Sequence, residues 1–185
     1  MELAFKLKID EQLSLVQPSF SMATEVFEAL DKDREHLRKF LDFVDGTKTP
    51  EDEKDYIKLK LDGYIKGTDR LFFIAFGDEM VGAIDFHFMN LNDETAEIGY
   101  WVNSAHCGKN IATKAVRAVC ELGFAEMGLN RLTIVADVTN LPSNRVAEKS
   151  GFRKEGTFKQ AKKLYGEFTD LNSYALLKSE FGQIK

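Results

Sequence analysis

"GYWVNSAHCGKNIATKAV", from Gly99 to Val116, is the stretch on which the fold turns. Tyr100, Trp101 and Val102 form a short apolar run that stops at Asn103 and Ser104. A loop of small and basic residues follows, and helical spacing begins near Ile111. A helix start leaves several backbone N–H groups without intrahelical partners, and together with the helix dipole they form an anion site. Gly108 lets a ligand approach the backbone, Asn110 tolerates a left-handed conformation, and Lys109 adds positive charge. A phosphate or pyrophosphate suits such a loop. Neither G-x-x-x-x-G-K-[ST] nor G-x-G-x-x-G is present. An ordinary crossover loop built on a glycine turn is the alternative.

Upstream, "RLFFIAF", "MVGAIDFHFMNL" and "TAEIGYWV" have strand character, and the short segments between them, "GDEM" and "NLNDE", predict tight turns. The three strands should form an antiparallel meander. On the second, Asp85 and His87 share one face, with Ile84, Phe86 and Phe88 on the other. Downstream, the helix runs from about Ile111 to Met127, with Ala112, Ala115, Val116, Val119 and Gly123 on its buried face. "NRLTIVADV" is a further strand. Strand, helix and strand together imply a right-handed crossover and a parallel pair.

Towards the N-terminus, "QLSLVQP" predicts a strand ending at Pro18, "SFSMATEVFEALDKD" a helix, and "REHLRKFLDFV" a second, short one. "TPEDEKDYIKLKLDGYIKG" predicts a third, capped by Thr49 with Pro50 in its first turn. At the other end "SNRVAEKSGF" is a short helix stopped at Gly151, and "FRKEGTFKQAKK" and "FTDLNSYALLKSEF" complete the sheet. The expected class is α+β: one mixed, mostly antiparallel sheet with helices on its faces. A doubly wound parallel fold is the rival, and the meander argues against it.

The chain has 185 residues, 44% hydrophobic and 30% charged, so one domain over residues 1–185 is expected. A formal net charge of −5 disfavours non-specific nucleic-acid binding. No long uncharged apolar run predicts a membrane span, and "MELAFKLKIDEQ" does not read as a secretory signal. Cys107 and Cys120 lack metal-site spacing and are expected as free thiols in a reducing, cytoplasmic setting. No His/Cys/Asp/Glu cluster has ligand spacing, so no metal is expected.

Several segments carry a resemblance to a known family. "AEIGYWV" followed by "CGKNIATKAV" resembles the E-x-G-Y-W strand and the Q/R-x-x-G-x-G/A pyrophosphate loop of the GNAT superfamily of acetyl-CoA-dependent N-acetyltransferases. "NLPSNRVAEKSGFRKEG" resembles that family's N-x-x-S-x-R-V-x-E-K-x-G-F-x-x-E-G helix and strand. "LDKDREHLRKFLDFVD" and the final "FTDLNSYALLKSEF" resemble the Rim-type branch, whose members acetylate N-terminal α-amines of ribosomal proteins. The likeness runs from about Gln12 to Phe181. Two positions depart from the pattern: Cys107 stands where Gln or Arg is usual, and Asn110 where Gly is usual. Neither removes a backbone donor.

The resemblance implies a single mixed sheet whose two central parallel strands splay apart, with acetyl-CoA bound in the gap. Backbone atoms near Trp101 and Val102 would pair with the pantetheine arm. Residues Cys107, Gly108, Lys109, Asn110, Ile111, Ala112 and Thr113 would hold the pyrophosphate, and Asn140 and Ser143 would hold the thioester end. It also implies direct transfer in a ternary complex. Ser143 matches the family serine that donates to, or hydrogen-bonds, the departing thiolate. Asn140 and Ser143 are equally good helix N-caps.

Lys162 falls where serine-acetylating members carry a glutamate proposed as base, and a lysine cannot inherit that task. Glu97, at a position used as base in other branches, becomes the candidate, with a carboxylate on the outer sheet face as the bland alternative. Acceptor-site candidates are Arg34, Phe40, Phe43, His87 and Tyr165. Cys107, at a helix start expected to lower a thiol pKa, raises the idea of an acetyl-cysteine, which its place at the pyrophosphate disfavours. The acceptor is expected to be a protein N-terminus. A small amine (polyamine, amino acid or aminoglycoside) and a non-catalytic CoA-binding module are the alternatives, and a homodimer is compatible with the sequence.

Overall fold

A computed structural model describes residues 5–183. Eight strands form one sheet in the order β1-β2-β3-β4-β5-β6-β8-β7. They are β1 (Lys6–Lys8), β2 (Leu13–Val16), β3 (Arg70–Phe76), β4 (Glu79–Asn90), β5 (Thr95–Val102), β6 (Arg131–Asp137), β7 (Arg153–Leu164) and β8 (Glu167–Leu177). Every neighbouring pair is antiparallel except β5 with β6. The helices are α1 (Ala23–Asp31), α2 (Arg34–Leu37), α3 (Pro50–Lys66), α4 (Ile111–Ala125), α5 (Leu141–Lys149) and α6 (Lys178–Phe181). No helix among the described residues is long and apolar enough to cross a membrane.

Period-two alternation divides the core between the two sheet faces. On β3, Phe72 and Ile74 pack with Ile84, Phe86 and Ile98 beneath Ala115, Val116 and Val119 of α4. Leu71, Phe73 and Ala75 point the other way, into a cluster with Val26 of α1 and Ile57 of α3. The α4–α5 layer therefore covers one face and the α1–α3 layer the other. Each fully buried large apolar side chain contributes on the order of 1.5–3 kcal/mol.

Local chemistry sets the ends of α3. Thr49 Oγ1 accepts from the Asp52 amide at 3.3 Å, and Asp52 Oδ2 accepts from the Thr49 amide at 2.8 Å, a reciprocal capping box. Pro50 begins the helix, and Gly67, left-handed at φ 75°, ends it.

Four expectations are corrected. The segment 34–44 is not one helix: α2 ends at Leu37, Leu41 is extended, and a 3-10 turn spans Asp42–Asp45. Leu37 and Val44 still reach the core, each from its own short piece. Phe88 does not share the buried face of Ile84 and Phe86. It sits at φ 50° where the β4–β5 register slips between His87 and Asn90, and it is exposed. β1 is an exposed strand of alternating lysines that no apolar pattern marked. The last residues of the expected final strand turn into α6, with Glu180 accepting from the Leu177 amide at 3.0 Å.

The parallel pair matters most. Only Thr95–Glu97 face Arg131–Thr133. Beyond Glu97, β5 stays with β4 as far as Val102 opposite Gly82, while β6 stays with β8 as far as Asp137 opposite Leu171. The sheet therefore opens in its middle like a V.

Candidate active site

The loop between β5 and α4 lies at the open end of that V. After β5, Asn103 accepts from the Ala105 amide at 3.0 Å, and its Nδ2 donates to the Ala29 carbonyl at 3.0 Å, tying the loop to α1. A 3-10 turn, Ser104–His106, brings the chain to Gly108 at φ 81° and Asn110 at φ 60°, ψ 18°. Asn110 thus takes the left-handed conformation expected of it, and it opens α4 without a side-chain cap. The amides of Gly108 to Thr113 have no protein acceptor among the described residues. Six consecutive donors at a helix start make an anion cradle. The Lys109 ammonium lies 5.2 Å from the centroid of the Phe76 ring, and Lys109 is exposed.

On the α4–α5 side of the opening, Asn140 accepts from the Ser143 amide at 3.2 Å and so caps α5. The Tyr100 hydroxyl lies 3.0 Å from Ser143 Oγ and 3.1 Å from the Ser143 carbonyl. Burial holds the phenol neutral, pushing its pKa up to about 12. Asn144 anchors this turn. Its Nδ2 donates to the Asp137 and Asn140 carbonyls, both at 2.8 Å, and its Oδ1 accepts from Asn172 and Tyr174, both at 2.7 Å. All its hydrogen-bonding capacity is used. Sequence reasoning missed Tyr100 and Asn144, whose partners lie on elements remote in the chain.

Glu97, Gly99 and Trp101 alternate onto the α1–α3 side, where a chain of charges crosses the sheet. The Lys60 ammonium sits 2.6 Å from both Asp69 and Asp85. Asp85 Oδ1 lies 3.3 Å from His87 Nδ1, and His87 Nε2 lies 3.2 Å from Glu97 Oε1. Gly99 leaves room for it: a Cβ there would come within 2.9 Å of both Asp85 Oδ1 and the His87 ring. Burial alone would lower the His87 pKa, but hydrogen bonds and charges from Asp85 and Glu97 prevail and raise it to about 9. Burial likewise works against ionised Asp85, and His87 with Lys60 overcomes it, holding the carboxyl below its usual range. His87 is therefore an imidazolium at neutral pH and cannot serve as a base.

The acceptor candidates are spread along the rim of this side. Arg34 donates to the Val44 carbonyl, to the Thr47 carbonyl at 2.6 Å and to Asp31 at 2.8 Å. Its guanidinium holds the 38–49 linker. Phe43 stacks on Tyr56 with ring centroids 6.4 Å apart. The β7–β8 hairpin reaches the same linker. Lys162 Nζ lies 3.4 Å from the Phe40 carbonyl and 3.4 Å from Asp42, and Arg38 lies 5.2 Å from the centroid of the Tyr165 ring. Lys162, at the family's glutamate position, is thus a rim cation that braces the linker. Cys107 is exposed, and partial burial of its thiol followed by the Asp33 charge raise its pKa rather than lower it. That reverses the expectation for a helix-start thiol and disfavours the thiolate an acetyl-cysteine would need. Cys120 is buried on the inner face of α4 and its pKa is likewise pushed up. The described residues contain no group of three or more His, Cys, Asp or Glu able to hold a metal.

An open sheet split at a parallel pair, with free amides at the mouth of the split, is the architecture of an acyl-CoA N-acyltransferase. The comparisons agree. The family model for the acetyltransferase (GNAT) domain matches residues 12–153, and the chain belongs to that family. It is 31% identical over 170 residues to the ribosomal-protein-serine acetyltransferase of Escherichia coli, covering 91% of this chain and 94% of that one. It is 28% identical to a putative ribosomal N-acetyltransferase, YdaF, of Bacillus subtilis, over 96% of this chain and 97% of that one. Among solved structures, the ribosomal L7/L12 α-N-protein acetyltransferase RimL in complex with coenzyme A superposes with a TM-score of 0.90. It is 24% identical, with 94% of this chain and 98% of that one covered. A probable acetyltransferase gives 0.89 at 28% identity, with 95% and 98% covered. The protein is a GNAT-type N-acetyltransferase that uses acetyl-CoA.

Proposed function

We propose that this enzyme transfers acetyl from acetyl-CoA directly to the N-terminal α-amine of a protein, most simply a ribosomal one. The observation that carries the reading is the V-shaped split beyond Glu97 and Thr133. Amide donors crowd its mouth, and the Glu97–His87 pair stands at its apex. A cosubstrate threaded through the split would present its thioester between the two faces of the sheet. The likeness to a ribosomal-protein-serine acetyltransferase supports the acceptor class.

The cradle of Gly108 to Thr113, with Lys109, holds the pyrophosphate; the Cys107 amide, expected to join it, is taken by the Ser104 carbonyl at 3.1 Å. Backbone groups of Trp101 and Val102 on the splayed part of β5, which lack a parallel partner there, pair with the pantetheine arm and can steady an oxyanion. Glu97 takes the proton of the attacking amine through a water, with His87 as a fixed positive neighbour that keeps the carboxylate aimed. Ser143 serves the leaving thiolate. Tyr100 carries one hydroxyl proton. When that proton goes to Ser143 Oγ, the serine's own proton is free to point at sulfur. Asn140 holds the turn from which Ser143 projects.

The test is thiol release from acetyl-CoA with a panel of acceptors. Release with Ser- or Ala-starting peptides is expected. Release only with polyamines, amino acids or aminoglycosides would move the acceptor to small amines, and tight CoA binding with no release would make the chain a binding module.

A further inference from the structure

Taking the chain to be an amine acetyltransferase, we propose that Glu53 is the carboxylate that receives the acceptor's ammonium group and so selects a cationic acceptor. Glu53 lies in the first turns of α3 and is 4% exposed. Its backbone amide bonds to the Thr49 carbonyl at 3.4 Å. The lysines of α3 that pair do so with Glu51, Asp69 and Asp85, and no side-chain hydrogen bond or ion pair reaches the Glu53 carboxyl among the described residues. The carboxylates packed between α3 and the sheet or the neighbouring linker are paired, unlike the exposed Asp55 and Asp62 on its outer side. Asp85 meets Lys60 and His87, Asp69 meets Lys60, and Asp45 meets Arg38. A side chain this buried carries a desolvation cost for its charge when no protein partner meets it, yet its oxygens keep enough contact with solvent to meet a ligand. Nothing in the packing needs a carboxyl there, so a cation arriving from outside is the simplest reason for one.

The position fits that cation. α3 turns Glu53, Tyr56, Ile57 and Lys60 towards the sheet at helical spacing. Ile57 belongs to the cluster of Val16, Phe73 and Ala83, against which Trp101 of the splayed strand packs. One turn from Glu53, Tyr56 stacks on Phe43, and Lys60 already lies 5.7 Å from the centroid of the Tyr56 ring. A buried acid beside aromatic faces is the chemistry that holds an ammonium ion. Glu53 is thus on the acceptor side of the sheet, opposite the layer that carries the CoA loop. The nearby titratable groups are Tyr56, whose ionisation Glu53 opposes together with Asp85 and Asp69, and beyond it Lys60. Burial raises the Glu53 carboxyl to about 7, so near neutral pH the empty site holds a sizeable protonated fraction, and a bound ammonium shifts it towards the ionised form. Proton removal from the amine stays with Glu97; Glu53 binds.

The experiment compares wild type with Glu53→Gln, using a Ser-starting peptide and its des-amino analogue. For the amine peptide, KM is expected to rise at least about tenfold, with kcat within about twofold and acetyl-CoA affinity unchanged. The des-amino analogue, as an inhibitor, should bind both proteins alike. Infrared difference spectra of the wild-type CoA complex provide a readout that does not depend on the variant folding. Adding amine peptide should erase a protonated-carboxyl band, and adding the analogue should not. An unchanged KM, or an unchanged band, overturns the assignment of Glu53 while leaving the transferase reading intact. Absence of thiol release with every amine sinks the transferase reading itself.

Discussion

His87 Nε2 stands 3.2 Å from Glu97 Oε1 across the β4–β5 pair, and its other ring nitrogen faces Asp85 at 3.3 Å. The imidazole is therefore clamped between two carboxylates, and this clamp has a pH signature. Its folded pKa, about 9, lies above its ordinary value of 6.5. The stabilisation is complete below about pH 6.5 and is lost as pH rises through about 9. The gap corresponds to about 3 kcal/mol at most. Melting curves of the wild type are expected to lose stability across that window, whereas His87→Asn starts lower at pH 6.5 and changes less. Parallel curves for the two proteins would contradict the clamp.

Glu97→Gln keeps the shape of the residue and removes its basicity. Turnover is expected to fall by about 10²–10⁴-fold, most steeply towards lower pH, with acetyl-CoA affinity unaltered by calorimetry. A pH–rate profile identical to wild type would take Glu97 out of the mechanism.

Asn110 opens α4 from a left-handed conformation at φ 60°. Asn110→Gly removes a small strain and is expected to raise the melting temperature slightly and tighten CoA binding. Asn110→Val, with a branched side chain at the same φ, should cost about 1–2 kcal/mol and weaken CoA binding several-fold as the cradle reshapes. Calorimetry with coenzyme A tests both, and a looser complex for the glycine variant would refute the argument.

Arg34 bridges the Val44 and Thr47 carbonyls while pairing with Asp31. Arg34→Ala leaves two linker carbonyls without their donor, at about 1–3 kcal/mol. The expected outcome is a lower melting temperature and a higher acceptor KM with kcat nearly preserved. Arg34→Lys should not rescue it, because a single ammonium cannot reproduce the spread of a guanidinium over three partners. Full rescue by lysine would show that charge alone matters at this position.

Much of the fold was legible because the chain states it locally. The period-two runs of β3 to β5, the Thr49–Pro50 start of α3 and the Gly151 stop after α5 each need only a few neighbouring residues. The run of free amides at the start of α4 was legible for the same reason, since a glycine and an asparagine before a helix announce their own backbone geometry. The charge chain from Lys60 to Glu97 was only half visible. Alternation put Asp85 and His87 on one face, but their partners come from α3 and β5, which only tertiary packing brings together. Arg34 is expected from the sequence to line the acceptor site as a charge; its three acceptors show that its guanidinium holds the linker. Glu53 sat within an acidic run, "PEDEKD", that appears solvated in one dimension. Only the way α3 rests on the sheet distinguishes the buried acid from its exposed neighbours Glu51 and Asp52.

Three residue pairs are all that join β5 to β6. Mechanically the eight strands are two plates on a short hinge, one carrying β1 to β5 and the other β6 to β8. Any extended ligand lodged between them acts as a stitch, adding rungs the protein does not supply. Deuterium uptake along Ile98–Val102 and 134–138 should then slow once coenzyme A is present, so that substrate loading also stiffens the catalyst.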